Sequence, residues 1–171
     1  PLCDGLALEG LRLVGRWLPV AVAEPSNLEA RGAMLAGSCL SGIAFLKGLG
    51  LVHAISHMVG AEYDTQHGLT NAVMLPAALR HNAPALADKI EPLSQAMGLR
   101  DTSFEAFYAH VCAILDQVGI PKTLTDIGVP SDCAARIADK ALQDSAAGTN
   151  ACALTAQDIE RVIAEALTRG R

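Results

Sequence analysis

The chain has 171 residues, of which 51% are apolar and 18% charged, with a net charge of −5 at neutral pH. That balance excludes an intrinsically disordered polypeptide, which needs low hydrophobicity and high net charge. The 13 Lys and Arg are scattered and form no basic patch, so neither nucleic acid nor an anionic membrane surface is an expected partner.

The elements read as helices nearly throughout. Over residues 4–17, Leu6, Leu13 and Trp17 recur at seven- and four-residue steps, and Pro19 is expected to stop the helix. Ser26 and Glu29 have capping-box spacing ahead of a long helix to about Phe45. Its small residues Gly32, Ala36, Gly37, Ser41 and Gly42 would admit a neighbouring backbone, and Gly48 and Gly50 break it. A shorter helix spans about 51–61 and another 68–81, with Pro76 ending or kinking the latter. Residues 84–97 are helical, with Gly98 as C-terminal cap. Thr102 and Glu105 open a helix to Val118, followed by Gly119. Helices over 131–142 and 155–167 complete the set, the last capped by Thr155 and Asp158. Residues 144–153 form the longest expected loop. No segment alternates with period two. The fold class is all-α, with about seven to eight helices in one domain over 1–171.

The five cysteines are widely and irregularly spaced and include no C-x-x-C pair, which favours a reducing, cytoplasmic setting over a disulfide framework. Residues 32–46 carry no charge, but fifteen residues fall short of the roughly 20 that span a bilayer. The chain begins Pro1-Leu2-Cys3-Asp4 without Met, which reads as a piece of a longer protein.

Histidines carry the chemistry. His53 and His57 are four apart and share a helical face, and His67 follows after a short loop. Two imidazoles on a helix and a third nearby could form a divalent-metal site; the competing reading is that they only cap or pack. For the isolated His81 and His110, packing is the expected role. A zinc-peptidase H-E-x-x-H helix is excluded because Ala54 occupies the place of the general base. No Glu-x-x-His pair for a carboxylate-bridged site, no Walker loop, no G-x-G-x-x-G and no G-x-S-x-G elbow occurs.

Residues 42–82 contain Gly42-Ile43-Ala44-Phe45, then Leu49-Gly50 leading to His53-Ala54, His57 and Gly60, then His67-Gly68, Asn71-Ala72, Leu75-Pro76 and Asn82. This stretch closely resembles the signature of the iron-containing alcohol dehydrogenases: G-x-A-F, L-G-x-x-H-A-x-x-H-x-x-G, and H-G-x-x-N-A-x-x-L-P with a following Asn. The resemblance extends more weakly along the chain, through the P-x-x-D opening at Pro1 and Asp4, Glu29-Ala30-Arg31, residues 124–129 and the last helix.

The resemblance implies a dehydroquinate-synthase-like, helical C-terminal domain, separated from an N-terminal domain that binds NAD or NADP. It implies a metal, Fe(II) or alternatively Zn(II), held by one Asp and three His. His53 and His67 match two of those histidines; the Asp and the remaining His belong to a D-x-x-x-H segment upstream of the P-x-x-D opening. His57 matches a histidine beside the site and is the candidate catalytic proton carrier, with packing as its alternative role. The implied substrate is a small alcohol or aldehyde, the implied assembly a homodimer, and this chain alone is expected to be inactive. Departures from the pattern fall at Lys47, Gln66, His81 and Asn150-Ala151-Cys152, none a metal ligand. A maleylacetate-reductase-like or other carbonyl reductase of the superfamily remains an alternative, although His53-Ala54 and His67-Gly68 favour the alcohol dehydrogenases. A helical interaction module with structural histidines is the alternative from another class.

Overall fold

The computed structural model describes all 171 residues. It contains α1 (Leu2–Ala23), α2 (Leu28–Ala44), α3 (Leu51–Tyr63), α4 (His67–Asn82), α5 (Ala87–Ala96), α6 (Phe104–Gln117), α7 (Ala134–Leu142) and α8 (Ala156–Thr168), with four short 3-10 turns and no strand. The all-α expectation holds. No single helix is long and apolar enough to cross a membrane.

The helices gather into two compact units: Pro1–Lys47 with Ala87–Gly119, and Gly48–Leu86 with Ile120–Arg171. In the first, α1 and α2 form an antiparallel hairpin through a short turn. They touch at glycine: a Cβ on Gly37 would lie 3.0 Å from Val14 Cγ2 and 3.2 Å from Leu13 Cβ, and one on Gly10 would lie 3.1 Å from the Gly37 carbonyl. Only residues without side chains let the two backbones come this near. Of the small residues expected to make this approach, Gly37 and Ser41 do so, whereas Gly32 and Gly42 face open space. Pro19 does not stop α1, which continues to Ala23. A proline inside a helix forfeits one hydrogen bond, here to the Gly15 carbonyl, and the rest of the ladder carries the helix through.

Caps explain the other boundaries. Asn27, not Ser26, caps α2 by accepting from the Ala30 N–H, and Ser103, not Thr102, caps α6 by accepting from the Ala106 N–H. In both places the capping oxygen sits one residue later than the box spacing suggests. Gly98 takes φ +76° after α5, with Leu99 N–H donating back to the Ser94 carbonyl. Residues 131–133 form a turn, and α7 begins at Ala134. Thr155 and Asp158 form a complete capping box at the start of α8. Pro76 lies inside α4, which runs on to Asn82.

The second unit holds the main core. Leu51, Ile55 and Val59 of α3, Val73 and Met74 of α4, Ile137 of α7, and Ile159 and Ile163 of α8 are almost fully buried, together with Leu124 from the loop before α7. Three ion pairs bind the helices at their edges: Arg80 Nε reaches Glu165 Oε1 at 2.6 Å between α4 and α8, and Glu62 of α3 meets both Arg136 and Lys140 of α7.

Candidate functional site

The site lies in the second unit, where α3 and α4 meet. α3 starts at Gly50, which has no side chain to cap it and takes φ +74°. Its first N–H groups are satisfied instead from a loop a hundred residues away. Thr149 Oγ1 accepts from Leu49 N–H at 3.2 Å and from Gly50 N–H at 3.4 Å, and Asn150 Oδ1 accepts from Leu51 N–H at 3.1 Å. Thr149 packs so tightly on Gly48 (φ +106°) that no Cβ fits there. Asn150 is itself held by a reciprocal amide pair with Asn82 at the end of α4, at 3.0 and 2.7 Å. The start of the histidine helix is thus locked by three polar residues from outside it.

α4 begins one residue after Gln66, whose Oε1 accepts from the Leu69 N–H. His67 therefore opens the helix. Gln66 stands where the family pattern often has proline, and its side-chain cap does comparable work in starting the helix.

Three imidazoles come together here. Ring centroids lie 5.3 Å apart for His53 and His67, 5.5 Å for His57 and His67, and 5.8 Å for His53 and His57, with His57 and His67 stacked at 15°. Asn71 stands against two of them, its Nδ2 3.4 Å from His53 Nε2 and 3.1 Å from His67 Nε2. His57 turns the other way and puts Nδ1 3.0 Å from Asp144 Oδ2. An ionised carboxylate only accepts, so His57 carries its proton on Nδ1. Burial, followed by the neighbouring His67 and His57, lowers the pKa of His53 and keeps it neutral. Burial pushes the Asp144 carboxyl up, but the Ala146 N–H and His57 outweigh it, and the group is held below its ordinary range. No set of three or more His, Cys, Asp or Glu side chains in the chain is arranged to hold a metal ion.

An open recess of about 400 Å³ adjoins His53 and Asn71 and is walled by Leu49, Val52, Ala72 and Leu75. A second recess, of about 430 Å³, lies in the first unit against Arg12, Arg16 and His110. Arg12 is already paired there with Glu9 at 2.6 Å, and the three clustered histidines are absent from its lining. His81 remains near the end of α4, apart from the cluster. Ala54 is fully buried in the core, so the position that would bear a peptidase's glutamate points away from the imidazoles.

Four residues at this candidate site escaped the sequence reading. Asn71 lies inside the quoted motif but had no assigned role; its i+4 spacing from His67 was the available signal. Asp144 and the Thr149–Asn150 pair sit in a segment expected only as loop, and nothing local marks them as partners of α3.

Comparison with known proteins fits this arrangement. The sequence pattern of the Fe-containing alcohol dehydrogenase family, C-terminal, matches residues 1–167. The chain is 36% identical over 173 residues to the 1,3-propanediol dehydrogenase of Klebsiella pneumoniae, covering 97% of this chain and 45% of that protein. It is 33% identical over 174 residues to the NAD-dependent methanol dehydrogenase of Bacillus methanolicus, covering 98% and 46%. Among solved structures, a 1,3-propanediol oxidoreductase superposes with a TM-score of 0.94 at 36% identity, covering 98% of this chain and 46% of that one. The chain spans a little under half the length of these relatives. A match along nearly the whole chain, with the same helical architecture, places it in the iron-containing alcohol dehydrogenase family, in that family's C-terminal region.

Proposed function

We propose that the chain is the metal-binding helical part of an NAD(P)-dependent alcohol dehydrogenase that interconverts an alcohol and an aldehyde or ketone. The observation that carries this reading is the approach of His53 Nε2 and His67 Nε2 to one point, marked by Asn71 Nδ2. Neutral imidazole suits Fe(II) or Zn(II), and the lowered pKa of His53 keeps that ring in the ligating form. The donor set here is two nitrogens on helices, half of what the family pattern uses; His53 and His67 would hold one side of the ion, and the upstream D-x-x-x-H segment the other.

A bound ion would supply Lewis-acid polarisation of a substrate oxygen, and a bound nicotinamide would supply the hydride chemistry. The chain's own residues do the rest. With its proton on Nδ1 against Asp144, His57 keeps a lone pair on Nε2, where it can take up or return a proton. The Asp144 carboxylate steadies the imidazolium that results. Leu49, Val52, Ala72 and Leu75 offer an apolar wall for the carbon chain of a small substrate. The nucleotide is assigned to an N-terminal domain, and the 171-residue chain alone should be inactive. A cytoplasmic homodimer is the proposed setting; the exposed Leu28, Leu35 and Leu46 supply apolar surface for association.

The test is titration of Zn(II) or Fe(II) into the chain and its His53→Ala and His67→Ala variants. Weak one-to-one binding lost in both variants is expected. One-to-one binding that survives both substitutions would place the ligands elsewhere.

A further inference from the structure

Asn71 stands where the two candidate ligand atoms meet. It lies one turn beyond His67 on α4, on the same face, and α3 brings His53 to that place. Its Nδ2 approaches both Nε2 atoms, at 3.4 Å and 3.1 Å. A carboxamide nitrogen carries two hydrogens and only donates. Each hydrogen can serve one ring, so both Nε2 atoms accept, and each neutral imidazole holds its proton on Nδ1.

The other end of the amide is informative. Asn71 Oδ1 is shut off from solvent and has no hydrogen-bond partner. Turning the amide over would set Oδ1 against the same two Nε2 atoms. That arrangement works only if both rings move their protons to Nε2, which removes the lone pairs a metal needs. The orientation found leaves a buried acceptor unsatisfied and keeps both ligating lone pairs.

We infer that Asn71 sets the tautomer of both histidines: in the metal-free protein its NH₂ group stands in for a divalent cation and aims the two Nε2 lone pairs at one point. This rests on reading His53 and His67 as ligands. His53 and His67 would hold a divalent cation through the same two Nε2 lone pairs, with both rings already in the ligating tautomer.

Substitution separates this role from mere packing. Asn71→Ala removes the donor and lets the His67 ring fall back to a mixture of tautomers. Asn71→Asp keeps size and shape but only accepts, so in the metal-free chain it draws a proton to Nε2. With metal present, the same carboxylate joins His53 and His67 as a third, anionic ligand, a two-histidine, one-carboxylate set.

The experiment is nitrogen NMR of the 171-residue chain with labelled histidine, at a pH where the imidazoles are neutral, with His81 and His110 as internal references. In the wild-type chain His53 and His67 should both show unprotonated Nε2, Asn71→Ala should show a mixture on His67, and Asn71→Asp should show protonated Nε2 on at least one ring. Calorimetric titration with Zn(II) should show Asn71→Asp binding at least about 10-fold tighter than wild type, the lower end of the effect of a residue that supports a ligand. Circular dichroism checks that each variant folds, and the shape-conserving Asp variant carries the test if Asn71→Ala does not. Protonated Nε2 in the wild-type chain, tautomers unmoved by Asn71→Ala, or unchanged zinc affinity in Asn71→Asp would each overturn the inference. If instead the tautomers behave as stated and wild-type zinc binding survives His53→Ala and His67→Ala, the ligand assignment fails and the tautomer role of Asn71 stands.

Discussion

The two units solve the burial problem differently. In the second, the large aliphatic side chains of four helices meet in one core, and Leu142 is its one exposed large apolar residue. The first leaves Leu2, Val22, Leu28, Leu35, Ile43, Phe45 and Leu46 exposed, and joins α1 to α2 by backbone approach at Gly10 and Gly37. Polar cross-links differ only in part, since the second unit also carries exposed pairs from Glu62 to Arg136 and Lys140. Asp144, Thr149 and Asn150 fasten a distant loop to α3 in the second unit, whereas in the first, Asp4 with Lys47 and Lys89 forms exposed pairs. Exposed pairs contribute little to stability. The unit with the deep core and partly buried polar ties is the one that positions the histidines, as the proposed ligand role would require of atoms held to fractions of an ångström.

Core truncation should widen this contrast most. Ile163→Ala removes a fully buried side chain from the second unit and should cost about 2–5 kcal/mol. Leu35→Ala, at a residue 74% exposed in the first unit, should stay within about 0.5 kcal/mol. Urea unfolding followed by circular dichroism measures both, and Trp17, the single tryptophan, gives a fluorescence signal specific to the first unit. Equal losses for the two variants would erase the distinction drawn here.

The glycine hairpin gives the next largest effect. Gly37→Val forces branched carbon against Leu13, Val14 and the Gly10 carbonyl and should cost about 1–3 kcal/mol. Gly32→Ala, on the same helix but facing open space, should stabilise by up to about 1 kcal/mol, since alanine is the better helix former. Thermal melting of both variants would show opposite signs; a stabilising Gly37→Val would mean that the helices are not held by close approach.

The smallest effect is electrostatic. The folded Asp144 carboxyl sits below its ordinary value of 3.8, so the unfolded chain binds its proton first as pH falls. Its contribution to stability is therefore full above that value and is lost as pH drops through the lower folded one. Asp144→Asn should flatten this acid limb in melting temperatures taken across it, leaving the neutral region less changed. An unaltered limb would show that the bonds from the Ala146 N–H and His57 to this carboxylate contribute nothing to the folded state.

Much of the site was legible before the fold was. The spacing of His53 and His57 follows helical periodicity, His67 follows after a short loop, and the family pattern around them extends over consecutive residues. Asn71 could be read in part, since its distance from His67 is one turn. Asp144 and Asn150 could not: each acts on α3 across most of the second unit, and neither spacing nor composition records which distant backbone N–H a loop residue will cap. Pro19 misled for a related reason, because the local rule counts the one lost hydrogen bond and omits the ladder and packing around it.

The sequence alone determined the helical class, most helix ends, the family and the trio of histidines, all of which depend on nearest neighbours along the chain. Tertiary structure alone decided which glycines bring helices together, which loop caps the histidine helix, and that one carboxamide faces two imidazoles. These depend on pairs far apart in sequence. Their free energy comes from burial and desolvation, which exist only once the chain has closed around them.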